Sequence, residues 1–229
     1  MECDALEVVV TRLDVKPNLV RAAVPLLSNV ERERASRFAF ERDCGRFVIA
    51  RGRLRQLLGV RLGVAPDAVQ LSYGPRGKPA LAAAFAGSGL RFNVSRSGDV
   101  AVYAFAYDRE IGVDVEQVRV MPDADAIVEQ MFSLRENAAY FALSPYDRPL
   151  GFFQCWTRKE AFIKALGDGL YYPLDRFDVS LAPGEPARIL RVESTAAGDC
   201  PWTLHSFSPG AGLIGALVIQ NRVYERLAA

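Results

Sequence analysis

The chain has 229 residues, 50% of them hydrophobic and 24% charged, with a formal net charge of +1. Such a length suits one large domain or two small ones with a sizeable core, and the balanced charge argues against wholesale binding to nucleic acid or to an acidic membrane. No apolar stretch approaches the ~20 residues needed to span a bilayer, and the opening Met1-Glu2-Cys3-Asp4 lacks the basic-then-apolar pattern of a signal peptide, so a cytoplasmic location is expected.

Val8–Val10 reads as a first strand. Ser28-Asn29-Val30-Glu31 has capping-box spacing and predicts a helix running to about Phe40. Asp43 is placed as the cap of a second helix, whose apolar side is Phe47, Ala50, Leu54, Leu57 and Leu58 and which ends near Gly59. Strands are expected at Val69–Tyr73, Leu90–Ser95 and Val100–Ala106, with Tyr73–Pro79 containing a glycine- and proline-rich loop. A second half begins near Asp108: a strand around Asp114, helices over 123–132, 134–143 and 152–166, and strands around 175–181, 187–192, 202–207 and 213–219. Ser133 to Glu136 repeats the capping-box spacing, and Gly167 and Gly169 stop the longest of these helices. The division expected is therefore 1–107 and 108–229. Cys3, Cys44, Cys155 and Cys200 form no C-x-x-C pair and read as free buried thiols.

The chemistry concentrates in two places in the second half. In the strand Ile111–Glu116, alternation puts Asp114 and Glu116 on one face, opposite Val113 and Val115. In the helix carrying Trp156–Lys164, Glu160 and Lys164 lie one turn apart on one face. Three carboxylates beside a lysine have the character of a site for a divalent cation held against a phosphate, although either fragment alone is more often an ordinary strand face or amphipathic helix. From Arg32 to Arg55 there are eight arginines. Most are expected to lace surface helices, with a few, led by Arg34 and Arg37, forming a pocket for a terminal phosphate. Phe92–Gly98 ends a strand in a turn whose hydroxyls, amides and Arg96 can hold phosphate oxygens. His205, the single histidine, reads as a strand residue.

Arg34-x-x-Arg37-Phe38 with Asp43, Gly77-Lys78-Pro79, Phe92-Asn93-Val94-Ser95, Gly112–Glu116 and Trp156-x-x-Lys159-Glu160-Ala161-Phe162-Ile163-Lys164, in this order, resemble the phosphopantetheinyl transferases, specifically the longer surfactin-synthetase-activating class. The resemblance runs from about Glu31 to Ser180. It implies an α+β, pseudo-twofold monomer of two similar subdomains, each a small, mostly antiparallel sheet packed with helices, with coenzyme A in the cleft between them. It also implies a cytoplasmic enzyme that transfers 4′-phosphopantetheine to a serine of an acyl or peptidyl carrier protein and releases adenosine 3′,5′-bisphosphate.

Carried over by motif, Asp114, Glu116 and Glu160 would hold magnesium, and Lys164 would contact the phosphates. Arg34 would meet the 3′-phosphate, and Arg76, Gly77, Lys78 and Pro79 would border the adenine. Asn93, Ser95 and Arg96 would join the coenzyme A site, and Glu160 or, second, Glu136 would act as general base. Two departures stand out. Arg96 occupies the place of the family's usual histidine, and Glu31, beside Arg32, stands where relatives carry a lysine. The rival readings are a non-catalytic coenzyme A or carrier-protein binder and a nucleic-acid-binding protein using Arg32–Arg55.

Overall fold

The β-branched run Val8–Val10 forms the middle of strand β1 (Glu7–Arg12), which pairs antiparallel with β5 (Val100–Tyr107), Val8 opposite Ala104. A computed structural model gives the architecture and describes residues 6–74, 78–167, 172–193 and 201–222. Between β1 and β5 the chain makes helices α1 (Pro17–Ala23), α2 (Asn29–Ser36) and α3 (Glu41–Leu62). A short ribbon of β2 (Leu71–Tyr73) and β3 (Pro79–Leu81) follows, and then β4 (Leu90–Ser97). The second half repeats this order with β6 (Ile111–Gln117), α4 (Ala124–Met131), α5 (Leu134–Phe141) and α6 (Arg148–Leu166). It closes with a ribbon of β7 (Phe177–Val179) and β8 (Ile189–Val192), and the hairpin of β9 (Trp202–Gly210) and β10 (Leu213–Gln220). Each half is thus an antiparallel three-stranded sheet with its last strand in the centre, in the orders β1-β5-β4 and β6-β10-β9. The fold is α+β, built from two similar subdomains.

The layers follow from which faces are apolar. On β5, Ala101, Tyr103 and Phe105 pack against Leu54, Leu57 and Leu58 of α3. Its other face, Val100, Val102, Ala104 and Ala106, packs against Ile111, Val113 and Val115 of β6 and Leu217 and Ile219 of β10. On the far side of the second sheet, Ala216 and Val218 share a core with Phe162 and Ile163 of α6. The two sheets therefore meet face to face at the joint between halves, with α3 and α6 on the outer flanks. Burial on both faces explains why β5 reads as a continuous apolar run rather than an alternation.

Several sequence expectations shift here. Both capping boxes form, at Ser28–Glu31 and Ser133–Glu136. However, α2 stops at Ser36, leaving Phe38 and Phe40 exposed rather than helical. Asp43 is not a cap: α3 starts at Glu41, and Asp43 lies in its first turn, where a negative charge favours the helix dipole. Gly59 does not end that helix. It is a point of close approach, where a Cβ would fall 2.7 Å from the Val64 carbonyl, and Gly63 (φ +68°) is the left-handed terminator. Helix α1 was not foreseen, although Pro17 in its first turn is its sequence signal. The start of α6 moves from 152 to Arg148, with Pro149 tolerated in the first turn for the same reason. Cys44 and Cys155 are free thiols; Cys3 and Cys200 lie outside the described residues. No described helix is long and apolar enough to cross a membrane.

Candidate functional site

Close contact between β6 and α6 builds the acidic part of the site. A side chain at Gly112 would collide with the Ala161 carbonyl and the Ala165 amide, so only glycine lets the helix lie directly on this strand. The same strand face then presents Asp114 and Glu116, and the helix brings Glu160 and Lys164 beside them. Lys164 Nζ donates to Asp114 Oδ1 (2.6 Å), Ser95 Oγ (3.2 Å) and the Val113 carbonyl (3.2 Å). Ser95 donates to the same Asp114 oxygen at 2.7 Å, and Ser97 donates to Glu116 Oε2 at 2.8 Å.

These carboxylates are costly to keep where they are. Burial pushes Glu160 up to about 7; the Lys164 ammonium opposes this, while Asp114 and Glu116 add to it. Burial also raises Glu116, against the Ser97 hydrogen bond, with Asp114 adding to the rise. Asp114 Oδ2 and Glu160 Oε1 are buried with no hydrogen-bond partner among the described residues. Buried acceptors without partners are expensive, on the order of 1–3 kcal/mol and more when charged, which is the signature of a site shaped for a positively charged guest. Oxygen donors of this kind suit a hard divalent cation whose shell is completed by ligand phosphates. The residues fit such an ion, although no three described His, Cys, Asp or Glu side chains form a ready-made cage, and the Lys164 ammonium sits on Asp114.

This acidic cluster lines a cleft of about 650 Å³ between the halves. Trp156 lines it from the second half, and Phe38, Asp43 and Arg46 from the first. Arg46 is held by a two-pronged pair with Asp14, both contacts 2.6 Å.

A basic pocket of about 170 Å³, in which Ser95 and Arg96 again take part, lies against α3. Arg34 from α2, Arg51 from α3 and Arg96 from β4 converge there with Phe47 and Pro79. Arg34 and Arg51 lean on the Phe47 ring, 5.4 and 5.9 Å from its centroid. Burial lowers the Arg96 pKa, and the Arg51 and Arg34 charges lower it further against Tyr103. None of the three has an ion-pair partner among the described residues. Like charges gathered without a counter-ion make an anion pocket.

Arg34 and Arg96, both expected at a phosphate, line this one pocket, whereas Arg37, expected beside Arg34, is exposed and pairs with Glu33 one turn away. Arg51 was missed. Its signal was its position one turn beyond Phe47 on α3, which does not stand out among eight arginines. Others of that run pair elsewhere, Arg42 with Asp43 and Arg46 with Asp14 toward the surface and Arg55 with Glu31 in the interior. Glu31 is buried and doubles as the α2 cap, so its place in the chain is explained by packing.

The structure does not bring Glu136 to the cleft. It is buried, receives the Ser133 and Val179 amides, and pairs with Lys159 at 2.7 Å. Asn93 is also buried, and its side-chain oxygen accepts the Val113 amide at 3.1 Å. Lys78 reaches across the halves to the Lys164 carbonyl (2.5 Å), and Pro79 borders the arginine pocket. Arg76 and Gly77 lie outside the described residues.

Comparison with known proteins bears on both halves. Residues 110–218 match the 4′-phosphopantetheinyl transferase superfamily, and residues 15–107 match the 4′-phosphopantetheinyl transferase N-terminal family. The chain is 37% identical over 207 residues to the 4′-phosphopantetheinyl transferase HetI of Nostoc sp., covering 90% of this chain and 84% of that protein. It is 31% identical over 155 residues to the 4′-phosphopantetheinyl transferase AcpT of Salmonella typhimurium, covering 68% of this chain and 77% of that one. The crystal structure of Thermotoga maritima holo-[acyl-carrier-protein] synthase aligns with 49% of this chain and 63% of its own at 21% identity, with a TM-score of 0.36.

Proposed function

This chain belongs to the 4′-phosphopantetheinyl transferase superfamily, and we propose that it moves the 4′-phosphopantetheine arm of coenzyme A onto a serine of an apo-carrier protein, releasing adenosine 3′,5′-bisphosphate. The observation that carries this reading is that buried carboxylate oxygens and three arginines, neither with a partner of opposite charge or a hydrogen bond to satisfy it among the described residues, line adjoining pockets that share Ser95 and Arg96. A separate phosphate would supply the negative charge that the arginines lack, and a pyrophosphate that brings a divalent cation with it would supply the positive charge that the carboxylates lack.

In this reading Arg34, Arg51 and Arg96 grip the 3′-phosphate, for which the guanidinium fork is suited. Lys78 and Pro79, with Arg76 and Gly77, border the adenine end. Lys164 meets the pyrophosphate and offsets the charge that grows on the departing bisphosphate. Asp114, Glu116 and Glu160 hold magnesium, which when bound supplies charge neutralisation at the pyrophosphate. The carrier serine oxygen forms its bond to the phosphorus bearing the pantetheine arm as the bond from that phosphorus to the bisphosphate oxygen breaks. Glu160 takes the serine proton directly or through a water, although a cation held beside it would lower its basicity. The base is Glu160 rather than Glu136, because both Glu136 oxygens are engaged within the core. The length and the two-half architecture favour the longer, surfactin-synthetase-activating class, acting as a monomer in the cytoplasm.

The test is incubation of the protein with apo-carrier proteins of fatty-acid, polyketide and peptide synthesis, coenzyme A and magnesium, followed by intact-mass measurement. At least one carrier gains the mass of one phosphopantetheine, and a chelator prevents the gain. A panel that stays apo in the presence of folded protein overturns the reading.

A further inference from the structure

Among the described residues strand β6 is an edge strand: it pairs with β10 on one side and with no strand on the other. Its outer amides are nevertheless satisfied, by side chains of β4. Asn93 Oδ1 accepts the Val113 amide (3.1 Å), Ser95 Oγ the Val115 amide (3.3 Å) and Ser97 Oγ the Gln117 amide (3.1 Å). The period of two follows from the strand itself, since alternate residues of β4 share one face. Arg96 lies on the opposite face and joins the arginine pocket.

A serine hydroxyl has a single proton and spare lone pairs. With a lone pair taken by the amide, each hydroxyl points its proton at a carboxylate one residue back along β6. Ser95 donates to Asp114 (2.7 Å) and Ser97 to Glu116 (2.8 Å). The pattern occurs twice with the same spacing. At the third rung the residue before Val113 is Gly112, which has no carboxylate to hold, and the β4 residue is an asparagine acting through its carbonyl oxygen. One oxygen of each carboxylate is thereby turned toward β4, and the other Asp114 oxygen is left buried without a partner among the described residues.

We propose that Ser97 and Ser95 are positioning residues that aim the Glu116 and Asp114 carboxylates across the joint between the halves. The inference rests on the reading above that these carboxylates hold a divalent cation. Cation affinity then depends on hydroxyls contributed by the other half of the chain; Ser95 also lines both pockets, whereas Ser97 lines neither and acts through the Glu116 carboxylate alone.

Ser97 gives the cleaner test. It is only half-buried, and Ser97→Ala leaves the Gln117 amide where water reaches it, so the fold is preserved. Manganese(II) binding to the full chain, with coenzyme A present, is followed by electron paramagnetic resonance for the unsubstituted protein, Ser97→Ala, Ser97→Thr and Asp114→Ala. Coenzyme A affinity is measured separately by calorimetry in chelator. Ser97→Ala weakens manganese about tenfold, the scale of losing an outer-shell partner of a metal ligand. It leaves coenzyme A affinity unchanged, and Ser97→Thr, which keeps the hydroxyl, restores the metal affinity. Unchanged manganese affinity in Ser97→Ala, with binding lost in Asp114→Ala, overturns the positioning role alone. A Ser97→Ala defect in coenzyme A affinity without a metal defect also overturns it, by making Ser97 a ligand contact. Unchanged binding in Asp114→Ala overturns the cation site beneath it.

Discussion

The two halves share one element order but spend the contact between first strand and long helix differently. In the first half Val9 of β1 packs with Leu54, Leu57 and Leu58 of α3, and the contact is apolar. In the second half the corresponding strand, β6, turns Gly112, Asp114 and Glu116 toward α6, and the helix answers with Glu160 and Lys164. The first half instead places its charges at the α2–α3 end, where Arg34 and Arg51 meet Arg96 of β4. One architecture thus carries an acidic site in one copy and a basic pocket in the other, with the cleft between them. Similar scaffolds fix where charges can stand; the side chains at a few positions decide their sign.

The comparison breaks most visibly if an acidic residue of the second half is removed. Asp114→Ala lowers turnover by more than about a hundredfold, since the direct metal contact proposed for it would be worth at least as much as the outer-shell groups that cost about 10–100-fold. Steady-state kinetics at millimolar magnesium checks this. Glu160→Gln is expected to be nearly as severe while α6 stays folded, which circular dichroism verifies.

The basic pocket should show its effect in binding. Arg96→Ala weakens coenzyme A about ten- to a hundredfold, from about 1.5–3 kcal/mol for a charge-assisted hydrogen bond. It leaves 3′-dephospho-coenzyme A nearly unaffected, because that ligand lacks the phosphate. Arg96→His recovers part of the loss below about pH 6.5, where imidazole is protonated, and none well above it. Calorimetry with both ligands across pH measures the difference, and equal losses for the two would remove Arg96 from the phosphate site.

The apolar contact of the first half should show in stability instead. Leu58 is fully buried on α3, so Leu58→Ala costs about 2–5 kcal/mol of stability and leaves turnover of the folded fraction unchanged. Denaturant titration beside kinetics separates the two. Arg37→Ala has the smallest effect. An exposed pair such as Arg37–Glu33 contributes about 0–1 kcal/mol, and coenzyme A affinity should not change.

Local signals in the sequence carried much of this. The capping boxes at Ser28 and Ser133, the period-two face of Asp114 and Glu116, and the one-turn spacing of Glu160 and Lys164 depend on neighbours in the chain, and each forms as its pattern implies. What was hidden depends on tertiary neighbours. Arg51 and Arg37 have similar local surroundings, yet one enters a pocket and the other pairs on the surface. Glu136 carries the chemistry of a base, but the Lys159 ammonium and the Val179 amide that claim it come from α6 and β7. Asn93 and Ser95 read as turn residues free for a ligand, because nothing in β4 alone reveals that the open edge of β6 lies beside it.

The division of labour between the halves is tested most directly by turnover at saturating 3′-dephospho-coenzyme A, with a carrier protein that accepts the arm, for the unsubstituted chain, Arg96→Ala and Asp114→Ala. Without the 3′-phosphate, the arginine pocket has nothing to hold while the acidic site keeps its work. Arg96→Ala should therefore match the unsubstituted kcat, and Asp114→Ala should fall by more than about a hundredfold. A near-normal kcat for Asp114→Ala, or an equal collapse of both variants, would contradict the account.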